Sequence, residues 1–512
     1  MSQEPPPPTA PNIDPAVPGG GTIDVRQAGS WFLGDGGDLG AAAIAVAAAV
    51  EQAARRPAPS TALSPAELAT AVAALDPLPD DGVGFDAALA EVAAGVLAHG
   101  VHPWHPHAVA HLHAPTVWPA AAAELAIGAT NQSLDSYDQA PAATLVEDAL
   151  VRRLAALLGL PAAASGVMTA GGTASNLLGL TLARGRAAPD AADHGLPAEA
   201  RSWRILTSAV AHDSVRRAAA ILGLGARAIV PVAVDARGAM DIAALDEALA
   251  ILLADDLRPL AIVATAGTTD LGAIDPLEAI AGRARDHGAW LHVDAAVASA
   301  FALSDTLRPR LDGIGRADSV TVDLHKLWWQ PIGASALLVA DEAAFAALDH
   351  DSDYLNRAED RATGTLNLVA RSLDTSRRFD ALKLLLSGRT IGRRELGAMV
   401  ERLVALADGA AAAVRARPAL ELVAEPSSVM VVFALAEAFA GEDPADRDAR
   451  AIDVQRELFA SGEAVLGRTR VNGRVVLKLT LINPRTRPGD IEQLLDRVVA
   501  AAVTARSGWP DK

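Results

Sequence analysis

Residues 204–234 read RILTSAVAHDSVRRAAAILGLGARAIVPVAV, and they set the architecture. RILTSA is a short apolar run of strand length. The segment 213–223 is rich in Ala and reads as a helix. RAIVPVAV (227–234) is a second apolar run. Strand, helix and strand in so few residues make a crossover unit that joins parallel strands. The unit repeats in both directions. Upstream stand VMTA (167–170) and a helix over 174–186. Downstream come a helix over 241–254, LAIVATA (260–266), a helix over 276–287, WLHVDA (290–295) and SVTVDL (319–324). GASALLVA (333–340) adds one more strand. The pattern predicts an α/β fold with a mostly parallel central sheet, covered by helices on both faces.

Outside this block the pattern changes. Residues 38–100 are helical by periodicity, with Ser64 as an N-cap before PAELATAVAAL. Residues 117–158 again read as helix, interrupted near Asn131–Tyr137. Past 376 a long helical stretch runs to about 416. The end of the chain holds the strands VMVVFAL (429–435) and RVVLKLTL (474–481) and helices over 448–460 and 489–506. The expected organisation has four parts. Residues 1–37 form a disordered or extended tail, and 38–125 a helical N-terminal segment. Residues 126–400 form a large α/β domain, and 401–512 a small α+β domain.

The 512 residues carry a formal net charge of −18. That argues against a nucleic-acid partner, which needs a positive surface. It does not select a small-molecule substrate. No cysteine is present, so disulfides, thiolate nucleophiles and cysteine-based zinc sites are excluded. No apolar run has the length of a membrane span, and the Pro-rich start lacks the pattern of a signal peptide. The expectation is a cytoplasmic protein with no membrane and no nucleic-acid partner.

Candidate chemistry collects where predicted strands end, which is where open α/β sheets bind ligands. TAGGTASNLLGL (169–180) leads from a strand into a helix through two glycines, a geometry suited to an anion. Thr173 and Ser175 add hydroxyls. An ordinary tight turn is the alternative there. His212 lies between strand and helix, suited to packing on a flat ring or to a structural role. ATAGTTDLGAID (264–275) ends another strand. Asp294 ends WLHVDAA, as a cofactor partner or a helix cap. Lys326 follows in SVTVDLHKLWWQP, as a nucleophile or a loop lysine. His325 beside it is within reach of a phosphate, and Trp328 with Trp329 is expected to line a pocket. A lysine amine and a carboxylate in this order suit pyridoxal 5'-phosphate: the amine forms a Schiff base, and the carboxylate keeps the ring nitrogen protonated.

Taken together, GGTASN, S-x-x-x-H-x-S, ATAGTT, HVDAA and D-x-H-K resemble the group II pyridoxal-phosphate-dependent amino acid decarboxylases, over about 100–485. HLHAPTVWPAAAAELAIGATNQSLDSYDQAPAATLVE (111–147), SRRFDALKL (376–384) and LTLINPRT (479–486) are most similar to the 2,4-diaminobutyrate and siderophore-type lysine branch. The resemblance implies the aspartate aminotransferase-like fold (fold type I) and a homodimer with active sites at its interface. It implies that Lys326 carries the cofactor, Asp294 pairs with the pyridine nitrogen and His212 stacks on the ring. Thr173, Ala174 and Ser175 grip the phosphate with His325. Ala296 packs on the opposite ring face, and Thr265 lies near the ring substituents. Metal ligands are not implied. The implied reaction is decarboxylation of an L-amino acid to its amine and CO2. A basic diamino acid (2,4-diaminobutyrate, ornithine or lysine) is the first choice. An aromatic substrate, an oxidative or transaminating outcome and a non-catalytic relative are the alternatives.

The chain departs from the family in three places. Val297 follows Asp-Ala-Ala, where an aromatic is usual. Asp323 stands where several members have Asn, which sets a second carboxylate near the phosphate. The loop expected over 356–374 has no tyrosine after Tyr354, so His212 or Lys326 is expected to return the proton to Cα. Finally, HPWHPHAVAHLH (102–113) holds five histidines. Its prolines and its spacing do not suit a helical metal site. It is expected to form the mouth or wall of the site.

Overall fold

The computed structural model describes residues 32–33, 38–348, 363–437 and 443–504. Most of the expected tail over 1–37, Tyr354, residues 356–362 of the expected loop and residues 505–506 of the last helix lie outside them.

Seven strands form the large sheet: β1 (Ser165–Thr169), β2 (Trp203–Ser208), β3 (Ile229–Val232), β4 (Arg258–Thr265), β5 (Trp290–Asp294), β6 (Ser319–Asp323) and β7 (Ser335–Val339). Their order across the sheet is β1-β7-β6-β5-β4-β2-β3. All run parallel except β7, which pairs antiparallel with both β1 and β6. The sheet is therefore mostly parallel, as the alternating pattern requires. Strands β4, β5, β6 and β7 are buried almost throughout. Helices cover both faces, which explains their near-continuous apolar runs.

A second sheet, β10-β11-β9-β8, is wholly antiparallel. It contains β8 (Leu420–Leu422), β9 (Met430–Leu435), β10 (Gly467–Val471) and β11 (Arg474–Thr480). The sequence reading misses β8 and β10. β8 has three residues, and β10 alternates arginines with Gly, Thr and Val, so neither shows a long apolar run. The long helical stretch expected from 376 is two helices, Ala381–Ile391 and Arg393–Arg415. Gly392, at φ +85°, parts them with a conformation that a helix cannot include. The expected boundaries at 125/126 and 400/401 both fall inside helices, Trp118–Thr130 and Arg393–Arg415.

The N-terminal helices are Leu39–Ala54, Pro65–Ala73 and Phe85–Gly95. Ser64 caps the second through a reciprocal pair: its hydroxyl accepts from Glu67 N, and the Glu67 carboxylate accepts from Ser64 N at 2.8 Å. No residue of these three helices is buried. Among the described residues, no helix is long and apolar enough to cross a membrane.

Candidate active site

A cavity of about 310 Å³ opens at the carboxyl ends of β1, β2, β4, β5 and β6. It brings together Thr173, His212, Thr265, Asp294, Ala296, His325 and Lys326. Each follows the end of a strand or sits at its last residue, so the sheet itself assembles the group. A larger groove of about 750 Å³ runs past Asp275, Arg310 and Glu425 and contains none of the predicted site residues.

Ala174 and Ser175 do not line the cavity. Helix Gly172–Ala187 starts here, and residues three apart share a helix face. Thr173 and Asn176 therefore face the cavity, and Ser175 turns away. Its hydroxyl lies 2.7 Å from Thr169 Oγ1, fully buried. The helix start still offers Gly172, Thr173 and Ala174 N–H groups with no carbonyl one turn earlier. This wall suits an anion.

Asp294 is buried, and neutral groups hold it. Its Oδ2 accepts from Asn176 Nδ2 at 2.8 Å, and its Oδ1 accepts from Ala296 N at 3.1 Å. Behind it runs one directed chain of hydrogen bonds. The Trp290 indole N–H donates to Ser319 Oγ at 2.8 Å, and the Ser319 hydroxyl lies 2.8 Å from His292 Nδ1. His292 Nε2 then lies 2.9 Å from Asn176 Oδ1, which also accepts from Thr321 Oγ1 at 2.6 Å. Asn176 Nδ2 donates again, to Ser214 Oγ at 2.8 Å, and Ser214 Oγ lies 2.8 Å from His212 Nδ1. Donors and acceptors match all along the chain when His292 is neutral with its proton on Nε2. Burial supports that state: it pushes the His292 pKa down to about 4, opposed by the nearby Asp294 charge. His212 stands at the exposed end, with Nδ1 occupied as an acceptor.

The opposite wall is charged. Lys326 Nζ lies 2.9 Å from Asp323 Oδ2, and the other Asp323 oxygen accepts from Ser335 Oγ. His325 Nε2 is 3.7 Å from Asp323 Oδ2, and its Nδ1 is 3.0 Å from Ala334 O. Burial lowers the His325 pKa, and Asp323 opposes that shift. The second carboxylate anticipated at 323 is thus paired with the lysine. A Cβ on Gly172 would stand 3.0 Å from Asp323 Oδ2, so the glycine lets the helix start close on this carboxylate.

The floor at Thr265 is braced from beneath. Thr265 N and Met240 N both donate to Asp275 at 2.7 Å, and burial pushes the Asp275 pKa up to about 6. The Thr265 hydroxyl itself is buried, lines the cavity and has no partner among the described residues. Gly267, at φ +97°, keeps the next turn open; a Cβ there would meet Val297 Cβ at 2.7 Å.

Two expectations are corrected. Trp328 and Trp329 are core residues and do not line the cavity. Trp328 Nε1 donates to Ser299 Oγ at 3.3 Å and Trp329 Nε1 to Ile482 O at 2.9 Å, so each indole is satisfied inside the protein. The histidines of 102–113 do not line the cavity either. The segment is clasped to the small sheet and its flanks: Val109 N donates to Val465 O at 2.9 Å, Thr480 N to Val109 O at 2.7 Å and Asn483 Nδ2 to Trp104 O at 2.8 Å. His102 stacks on Trp104 with centroids 4.8 Å apart.

Sequence reasoning missed roles for Asn176, Ser214, His292, Thr321 and Ser319. One signal lay in the sequence and a second only in the fold. Period two on β5 puts His292 on the face of Asp294. The pairing of β5 with β6 sets His292 beside Ser319 and Asp294 beside Thr321.

The fit to pyridoxal 5'-phosphate rests on this geometry. An amine, a neutral-braced carboxylate, an orphaned hydroxyl and a helix start surround one cavity. Lys326 would hold the aldehyde, Asp294 the ring nitrogen, Thr265 a ring substituent and the start of helix Gly172–Ala187 the phosphate.

Residues 79–436 match the family described as pyridoxal-dependent decarboxylase conserved domain. The chain is 45% identical over 424 residues to an L-2,4-diaminobutyrate decarboxylase of Rhizobium meliloti (strain 1021), covering 83% of each chain. It is 39% identical to an L-2,4-diaminobutyrate decarboxylase of Acinetobacter baumannii, covering 82% of this chain and 85% of the relative. A crystal structure from Vibrio parahaemolyticus superposes with a TM-score of 0.86 at 36% identity, covering 94% of this chain and 100% of the other. It is described as the glutamate decarboxylase domain of diaminobutyrate-pyruvate transaminase and L-2,4-diaminobutyrate decarboxylase.

Proposed function

The chain belongs to the pyridoxal-dependent decarboxylase family, and on that premise we propose that it releases CO2 from L-2,4-diaminobutyrate or a near basic diamino acid (ornithine or lysine). It is a carboxy-lyase that uses pyridoxal 5'-phosphate. The cofactor, when bound, supplies an aldehyde for amines and a ring that accepts the electron pair left as CO2 departs.

The observation that carries the reading is the single cavity shared by Lys326, Asp294 and the start of helix Gly172–Ala187. Lys326 supplies the amine. Asp294, held by Asn176 Nδ2 and Ala296 N, is the acceptor for a ring N–H. Thr173 and the helix-start N–H groups of 172–174 bind phosphate, with His325 beside them. Ser175 supports the turn from behind, its hydroxyl against Thr169 and its N–H donating to Gly171 O at 3.1 Å. His212 and Ala296 flank the ring, and Thr265 offers its unused hydroxyl. His212 or Lys326 delivers the proton to Cα.

The assembly belongs to the same proposal: a cytoplasmic homodimer with each site completed at the interface. Ile332, on the cavity rim, is 69% exposed, and Trp118 is 75% exposed. The three N-terminal helices leave Ile44, Val72 and Phe85 uncovered in a single chain. Such apolar surface suits a partner. Light scattering on the purified protein should give the mass of two chains.

The decisive experiment measures CO2 and identifies the amine across a panel of amino acids. Diaminobutyrate is expected to lead, and Lys326→Ala should abolish both turnover and the visible absorption of the bound cofactor. Wild-type protein that stays colourless with added cofactor would end this reading. A preference for an aromatic or acidic amino acid would overturn the substrate class alone.

A further inference from the structure

The loop that leaves β4 has two sides. One side, Gly267 and Thr269, lines the cavity, with Thr269 exposed at the rim. The loop closes on itself: Gly267 N and Thr268 N donate to Ala273 O at 3.0 and 2.9 Å, and Ala273 N donates to Thr268 Oγ1 at 3.0 Å. Its tip, over 270–272, packs on one face of the small sheet. Thr469 of β10 lies opposite Val476 of β11, and Lys478, two positions along, shares that face. Lys478 is buried, and its Nζ donates to Thr269 O at 3.0 Å and to Asp270 Oδ1 at 2.9 Å. Thr469 Oγ1 donates to the other Asp270 oxygen at 2.8 Å. Leu271 packs against the buried cluster of Val432, Ala434 and Val476. Gly272 lies so close to the sheet that a Cβ on it would collide with the Ser428 hydroxyl. Among the described residues, none of the small sheet lines the cavity itself. A buried ammonium is costly unless its donors are used, and Lys478 uses two of them on this loop.

We propose that Lys478 is a positioning residue for substrate binding: it clamps this loop from the small sheet and so fixes Thr269 at the rim, against the entering amino acid. This deepens the proposed function and rests on it. An unclamped tip would have to be ordered by each substrate that binds, and that ordering costs affinity. Asp294 and the start of helix Gly172–Ala187 are placed by the large sheet and its helix, and Lys326 by the turn after β6. None of them leans on the clamp. Loosening the loop therefore weakens the grip on the substrate and leaves the cofactor and the bond-breaking step in place.

The test compares Lys478→Met and Asp270→Asn with wild type, each as the full chain with pyridoxal 5'-phosphate bound. Asp270 is half-exposed, so its variant keeps the test open if Lys478→Met folds poorly. Hydrogen exchange over residues 266–273 reads the clamp whatever the substrate is. It should speed up about 10-fold in both variants, while β4 and β5 exchange as in wild type. Steady-state kinetics with L-2,4-diaminobutyrate reads the rim. KM should rise about 5-fold or more in both variants, with kcat and the visible spectrum of the bound cofactor within about twofold of wild type. The double variant should add little to either single one, because both break the same contact. Unchanged exchange overturns the proposal. So does faster exchange with an unchanged KM, or a loss confined to kcat. If wild type decarboxylates a different amino acid, the substrate reading fails by itself, and the same KM comparison with that amino acid decides the clamp.

Discussion

Asp294 and Asp323 end adjacent strands and face one cavity, yet they are held in opposite ways. Asp294 has an amide and a backbone N–H and, among the described residues, no cation in contact. Asp323 has the Lys326 ammonium and a serine hydroxyl. Neutral donors keep a carboxylate ionised without consuming its charge, so Asp294 retains its full attraction for a proton-bearing ligand. A cation in contact consumes that attraction, so Asp323 acts on Lys326 and on little else. The same residue type thus does two jobs, and its partners decide which.

The largest expected effect comes from removing the charge at Asp294 alone. Asp294→Asn keeps the shape but gives up the anion that faces the ring nitrogen. Turnover should fall about 10²–10³-fold, the range seen when one buried electrostatic partner is removed. The protein should still take up the cofactor and its colour. Turnover within threefold of wild type would show that the contrast between the two carboxylates carries no chemistry.

Next in size is a pH effect on stability. The folded pKa of His292 is depressed to about 4 from an ordinary 6.5. The unfolded chain therefore binds the extra proton more readily, and the contribution of His292 is complete above pH 6.5 and lost as pH falls towards 4. Each pKa unit is worth about 1.4 kcal/mol, so the loss approaches about 3 kcal/mol. Asp275 has the reverse sign. Its folded pKa is raised to about 6, so its contribution is present at low pH and lost as pH rises from about 4 to 6. The two oppose each other in wild type. In His292→Gln the rising contribution of His292 is gone while Asp275 is untouched, so in urea unfolding the stability of the variant should rise less, or fall more, than wild type as pH goes from 4 to 6.5. A variant curve parallel to wild type would mean that His292 titrates normally and that the chain behind Asp294 is not built on a neutral imidazole.

Much of this cavity was legible in the sequence. Lys326, Asp294, His212, Thr265 and Thr173 each sit at a strand end, and alternating strands and helices already imply that strand ends converge. The bracing chain was not legible, because it depends on which strands are neighbours. Ser319 and Thr321 become partners of His292 and Asn176 only once β6 lies beside β5, and nothing local in SVTVD announces that pairing. Ser175 failed for a local reason: the helix begins at Gly172, so the face that holds Thr173 holds Asn176. The tryptophans failed because an aromatic pair beside a reactive lysine reads equally as pocket or core, and tertiary packing chose the core. The histidine segment failed for a similar reason. Its distant partners are in the small sheet and its flanks, more than 350 positions away, as in the contact of His107 with Glu463.

A smaller effect tests the hub of the bracing chain. Asn176 serves Asp294, Ser214, His292 and Thr321 with one amide. Asn176→Ala strands several buried donors and acceptors at once. The cost should be about 2–3 kcal/mol in thermal or denaturant unfolding. The matching truncation on the other wall, Ser335→Ala, removes one hydroxyl from a carboxylate that keeps its cation, and should cost about 1 kcal/mol. Equal losses would erase the distinction between a networked wall and a paired one.

The smallest expected effect separates the two ends of the chain itself. Ser214 links Asn176 to His212, and nothing else in the chain joins them. In Ser214→Ala, Asn176 keeps its bonds to Asp294 and to its two donors, so Asp294 stays braced. His212 keeps only the weaker contact from Ser214 N, at 3.3 Å. Stability should fall by about 1 kcal/mol or less. The orientation of the His212 ring should suffer more than the charge of Asp294. If His212 packs on the cofactor ring, the variant should bind cofactor several-fold more weakly while turnover of the cofactor-saturated enzyme stays within about threefold of wild type. A fluorescence titration of cofactor affinity, run beside turnover at saturating cofactor, reads the two separately. Lost turnover with unchanged affinity would mean that the hydroxyl serves Asp294 and not His212, and the directed chain would have to be redrawn.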